Sequence, residues 1–144
     1  MTSELPATGP HAALRRVLLA DDDPFMRLVA KIGLERYGRL ETLFTDSGDD
    51  VLELARNWHP DLIVLDVIMP GVDGPAALAA LRRDPDTSAI PVVFLTTRVL
   101  SHEVARYLRL GVTDVISKPF SPVDLSRTLS DIWARTQAQT GGTR

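Results

Sequence analysis

The 144-residue chain contains no cysteine, which excludes disulfides, thiolate metal ligation and thiol nucleophiles. Aromatic residues make up only 6%. Trp58 and Trp133 lie at helical apolar spacing, which suits packing better than a base-stacking platform. No apolar run approaches the roughly 20 residues of a membrane span, and the N-terminal residues lack a basic-then-apolar secretion pattern, so a cytoplasmic protein is expected. Neither sign of charge dominates: the net charge is −3, which argues against unaided binding to nucleic acid or membrane. No Gly-rich Lys-Ser/Thr loop is present, which argues against ATPase or GTPase activity. His11, His59 and His102 are scattered and do not form a ligand set. What remains is an ordinary globular balance, 44% apolar and 24% charged, at a length that suits one domain.

That domain is organised around the stretch DLIVLDVIMPG, residues 61–71. A short apolar run rich in β-branched types fits a strand buried on both faces of a parallel sheet. It ends on Asp66 and turns sharply. Similar runs occur at residues 17–20, ending on Asp21, Asp22 and Asp23, and at 91–96, ending on hydroxyls. Residues 40–45 read as an edge strand and 112–117 as the last strand. Helices are expected between them. The first opens at Pro24 with Asp23 as its N-cap, shows Phe25, Leu28, Val29, Ile32 and Arg36 or Tyr37 at helical spacing, and stops at Gly38. The others start at Ser47–Gly48, at Pro75, at Ser101 and at Pro122, the last with Val123, Leu125, Leu129, Ile132 and Trp133 as its apolar positions. Five strands alternating with helices predict a parallel sheet covered on both faces. Residues 1–15 read as a flexible leader with a helical turn near 12–16, residues 16–136 as the domain, and residues 137–144 as a frayed tail.

Strand ends of a parallel sheet lie along one edge, where open α/β folds bind ligands. Asp21 and Asp22, Asp66, Thr96 and Lys118 can therefore converge. Clustered carboxylates repel one another unless a hard cation sits among them, and magnesium takes a few carboxylates plus a phosphate oxygen. In such a site Asp66 can attack a phosphoryl group and form an acyl phosphate. Lys118 and the Thr96 hydroxyl would meet the phosphoryl oxygens, with main-chain N–H groups after Asp66 as further donors.

The segments ADDDP (20–24), LDVIMPGVDG (65–74), LTT (95–97) and SKPF (117–120) together resemble the receiver domain of two-component response regulators. The likeness extends over about residues 16–134. It implies a five-stranded doubly wound fold of strand order 2-1-3-4-5, the flavodoxin-like arrangement. It implies that Asp66 is the phosphorylation site, that Asp22 binds Mg2+ directly and Asp21 through water, and that Ile68 offers its backbone carbonyl to the metal. It also implies a cis proline at Pro119. The phosphodonor would be a phosphohistidine on a sensor histidine kinase or a histidine phosphotransfer protein.

Two positions depart from the family pattern. Val115 stands where a Tyr or Phe usually reports activation by swinging inward, so output by that route is not expected. Thr97 replaces the usual Ala, and its β-branched side chain is expected to narrow access to Asp66. Ile68 and Arg98, each two residues past a site residue, are poor acceptors for an attacking water, so slow autodephosphorylation is expected. Helix 101–110 carries more apolar surface than one buried stripe needs (Val99, Leu100, Val104, Tyr107, Leu108, Leu110). Together with Arg106 and Arg109 it points to a downstream protein or a homodimer docking on this helix and the final strand and helix.

Plainer readings stand beside these. Asp23 suits helix capping alone, Asp73–Gly74 a turn and helix start, and Arg15–Arg16 and Arg82–Arg83 solvated surface. Thr96 and Lys118 gain meaning only from the constellation. The leading expectation is a receiver without an attached output domain, which signals by partner binding or passes its phosphoryl group onward. It would catalyse only its own phosphorylation and slow dephosphorylation. A degenerate receiver acting as a constitutive binding module is the alternative. A phosphotransferase acting on small substrates fits poorly, since Ile68 stands where such enzymes place a second acid.

Overall fold

The computed structural model describes residues 13–142. Five parallel strands, β1 (Arg16–Ala20), β2 (Glu41–Thr45), β3 (Leu62–Asp66), β4 (Val92–Thr96) and β5 (Asp114–Ser117), form one sheet in the order β2-β1-β3-β4-β5. The helices are α1 (Pro24–Lys31), α2 (Val51–Trp58), α3 (Gly74–Arg83), α4 (Ser101–Leu110) and α5 (Pro122–Gly142). The order and the parallel pairing are those expected of a doubly wound sheet.

The apolar runs make the sheet two-sided. Alternate residues of a strand face opposite ways. Leu18, Ile63, Leu65, Val92 and Phe94 enter one core with Val51, Ala55, Leu78, Leu81 and Tyr107 from α2, α3 and α4. Val17, Leu19, Leu62, Val64, Val93 and Leu95 enter the other with Ala30 and Leu34 and with Leu125, Leu129 and Ile132 of α5. Every residue of β3 and β4 is buried, as strands covered on both faces must be.

Local signals set the helix starts and stops. Asp23 accepts the Phe25 N–H at 2.9 Å and Pro24 opens α1. Asp73 caps α3 by accepting the Ala76 N–H at 3.0 Å. Ser47 caps a 3-10 turn, Gly48–Asp50, that leads into α2. Gly111, at φ 110°, ends α4 in the left-handed region.

Several expectations are corrected. The apolar stripe of α1 is not its buried face. Phe25 is 66% and Leu28 54% exposed, Ile32 and Tyr37 are exposed too, and the buried positions are Ala30, Gly33 and Leu34. The reason is close approach: a Cβ on Gly33 would lie 2.5 Å from the Pro122 carbonyl oxygen, so the face turned to α5 is the one that carries Gly33, together with Ala30 and Leu34, and the apolar stripe is left outside. The helix does stop at Gly38, as expected, but not through a left-handed residue there. It continues as a π-helical segment, Ile32–Tyr37, and Arg39 takes the positive φ of 56°, while Gly38 gives room to Ser126.

Of the expected leader, residues 1–12 lie outside the described residues. Residues 13–15 belong to the fold: Leu14 is buried, and there is no helical turn because β1 starts at Arg16. The Arg15 and Arg16 N–H groups donate to Asp61 at 3.0 and 2.9 Å, which pins the start of the strand. At the other end α5 runs past residue 136 to Gly142. Residues 137–140 hold no helix breaker, and propagation of an existing helix costs little. β5 begins at Asp114, two residues later than expected. Arg16 and Arg82 are not merely solvated. Arg16 lies over the Trp58 ring at 5.2 Å and donates to the Trp58 carbonyl. Arg82 donates to the carbonyls of Ser88, Ile90 and Gly111, tying α3 to the loops before β4 and β5.

Candidate functional site

β1, β3 and β4 deliver their last side chains to one rim of the sheet. Asp66 is the final residue of β3 and is 6% exposed. Asp21 directly follows β1 and is fully buried. Its carboxylate accepts the Asp23 N–H at 2.9 Å and the Lys118 ammonium at 3.0 Å. The same ammonium lies 3.3 Å from Asp66. Lys118 arrives from the end of β5, where its N–H donates to the Thr96 carbonyl and the Lys118–Pro119 peptide is cis. Asp22 is exposed, and its carboxylate completes a group with Asp21 and Asp66 whose oxygens lie within 4.8 Å of one another.

Three carboxylates and one ammonium leave a local deficit of positive charge. Burial, and then the Asp21 charge, push the Asp66 carboxyl up to about 6, while Lys118 and the Ile68 N–H pull it back. Burial works against the Lys118 charge, but Asp21 and then Asp66 outweigh it, and its pKa is raised. The donor set is all oxygen, partly open through Asp22, and short of positive charge, so it fits a hard divalent cation.

Thr96 ends β4, one residue beyond Leu95, the register partner of Asp66. Its hydroxyl accepts the Arg98 N–H at 2.9 Å. Ile68 is 62% exposed, and its N–H donates to Asp66 at 3.4 Å. Thr97 and Arg98 are exposed, and the Arg98 guanidinium lies 3.7 Å from Glu103 of α4. Val115 is half-buried against the core that holds Phe94 and Tyr107. Thus Asp21, Asp22, Asp66 and Lys118 come together, and Thr96 borders them at the same rim.

Two supporting residues escaped the sequence reading. Gly74 lets α3 start against the site: a Cβ there would lie 2.7 Å from the Asp66 carbonyl oxygen. The dipeptide Asp73–Gly74, which marks a turn and a helix start, was the available signal. Arg27 donates to the Asp21 carbonyl at 2.8 Å, and its place in the first turn of α1 was the only clue.

The family described as response regulator receiver domain matches residues 17–130, most of the chain. The chain belongs to that family. Protein PilH of Pseudomonas aeruginosa is 33% identical to this receiver over 121 residues, which cover 84% of this chain and 99% of PilH. PhoB, the phosphate regulon transcriptional regulatory protein of Escherichia coli, is 36% identical over 84% of this chain and 52% of its own length. The receiver thus spans PilH almost entirely and about half of PhoB. Among solved structures, chemotaxis protein CheY4 of Vibrio cholerae superimposes with a TM-score of 0.76 at 28% identity, covering 83% of this chain and 99% of CheY4. The strand order 2-1-3-4-5 with five helices is the fold of these receivers. Among the described residues, no helix is long and apolar enough to cross a membrane.

Proposed function

We propose that this receiver accepts a phosphoryl group on Asp66 from the phosphohistidine of a sensor kinase or phosphotransfer protein, and that it signals without acting on any separate small substrate. The observation that carries this reading is the Asp66 carboxylate, held 3.3 Å from the Lys118 ammonium beside two further carboxylates at the sheet rim. One Asp66 oxygen attacks phosphorus in line, the P–N bond breaks, and the imidazole leaves with its electron pair. An acyl phosphate remains. Lys118 is placed to neutralise charge on the phosphoryl oxygens, and Thr96 and the Ile68 N–H offer hydrogen bonds there. Mg2+ bound by Asp21, Asp22, Asp66 and the Ile68 carbonyl would supply the remaining positive charge.

A donor must bring its histidine to this rim, so its docking surface borders it. The exposed apolar side of α1, starting at Phe25 three residues past Asp22, supports that placement. On the far side, Val99, Leu100, Leu108 and Leu110 are exposed around α4, which supports α4, β5 and α5 as the face for a downstream protein or a second copy. Ile68 and Arg98, neither of which can accept a proton from water, support a long-lived acyl phosphate. The complete acidic group and the paired lysine weigh against a constitutive module.

Incubation with acetyl phosphate and Mg2+ should add one phosphate by intact mass, and Asp66→Asn should abolish it. No adduct on the unaltered chain with an active donor would overturn the proposal. An adduct that hydrolyses within seconds would overturn the slow-dephosphorylation part alone.

A further inference from the structure

α4 is anchored on the sheet by a single large side chain. Of its ten residues only Tyr107 is buried, at 2% exposure. The Tyr107 ring meets Phe94 edge-on, with centroids 5.4 Å apart and planes at 78°, a favoured aromatic geometry. The Arg106 guanidinium lies 5.1 Å from the same ring. Phe94 stands two residues before Thr96 on β4, so both side chains face the α4 side of the sheet. The register partner of Phe94 on β5 is Val115. Val115 is small and packs against the same core. The seat beside Phe94 therefore holds one large ring, and that ring comes from α4.

The start of α4 is tied to the site by a separate route. The Thr96 hydroxyl accepts the Arg98 N–H, and Arg98 pairs with Glu103 in the first turn of α4. Leu100, the residue before α4, provides no side-chain cap. A group on Asp66 that recruits the Thr96 hydroxyl pulls on this connection. A helix anchored by one buried side chain answers such a pull by turning about that side chain.

We propose that Tyr107 is the positioning residue through which the state of Asp66 reaches the α4–β5 surface, filling from the helix the place left small by Val115 on the strand. This rests on the reading of Asp66 as phosphoacceptor.

The test is hydrogen exchange of the full chain with and without acetyl phosphate and Mg2+, with the adduct measured by intact mass on the same samples. In the unaltered chain and in Tyr107→Phe, phosphorylation should change exchange across residues 99–111 by roughly threefold or more. Tyr107→Ala should exchange there about tenfold faster before phosphorylation, still take up the adduct, and show no further change. Tyr107→Leu keeps apolar bulk without the ring; it should also lose the change, and it replaces the Ala variant if that one fails to fold. The double variant Tyr107→Ala with Val115→Tyr returns one ring to the seat and should recover part of the response, which general loosening of α4 would not produce. A Tyr107→Leu or Tyr107→Ala chain that carries the adduct and responds like the unaltered one would overturn the inference and leave the phosphoacceptor reading intact. So would an adduct on the unaltered chain with no change at 99–111. Absence of any adduct would overturn both.

Discussion

The two sides of the sheet are closed in different ways. On one, α5 lays Leu125, Leu129 and Ile132 into the core, and Gly33 and Gly38 bring the α1 end of the chain into backbone-close contact with it. On the other, α4 contributes a single buried ring. The first side resists displacement because moving α5 would expose several buried side chains together. On the second, α2 and α3 bury Val51, Ala55, Leu78 and Leu81, and α4 alone is held by a single buried side chain. Asp66 lies between them at the rim.

That contrast can be broken at several points. The largest effect is expected at Lys118, which belongs to neither helix but must be in place for either to matter. Lys118→Ala should slow phosphorylation from acetyl phosphate by roughly 10²–10³-fold, as loss of a preorganised charge-stabilising donor does. Stopped mass measurements over time would check this, and an unchanged rate would remove Lys118 from the reaction.

Next comes the rigid side. Leu129→Ala should cost about 2–5 kcal/mol of global stability through lost burial and a cavity, read from urea unfolding.

The rim itself gives a pH-dependent effect. Burial and the Asp21 charge raise the Asp66 carboxyl from 3.8 to about 6 in the folded chain. The folded state then binds more protons than the unfolded state between these values, so stability falls as pH rises through them. In chelator, Asp66→Asn should be more stable than the unaltered chain at pH 8, by at most about 3 kcal/mol, and the gain should disappear near pH 3. A gain that grows toward acid pH would contradict this sign.

The smallest effect belongs to the movable side. Leu108→Ala, at an exposed α4 position, should change stability by less than about 0.5 kcal/mol. A loss as large as at Leu129 would mean that α4 is held by more than Tyr107.

Much of the site was legible because it depends on short-range pattern. Apolar runs that end on Asp21, Asp66 and Thr96 predict buried parallel strands, and parallel strands bring their ends to one rim whatever else the fold does. Asp23 and Asp73 are legible as caps because capping acts over two or three residues. The face that α1 buries was not legible. Its large apolar residues obey helical spacing, but spacing does not say which side a neighbour can approach, and here room at Gly33 and Gly38 decides. Asp61 and Arg82 act across 45 and 29 residues of sequence separation, respectively, and no local pattern encodes such partners.

By itself the sequence determined the five buried strands alternating with helices and the carboxylates at their ends, because those follow from hydrophobic periodicity along the chain, while the strand order was implied by the resemblance of its motifs to receivers. Tertiary structure alone decided that α1 leaves its apolar stripe outside and that one tyrosine anchors α4. Both depend on which surfaces come within contact distance, and that distance is set by the packed whole.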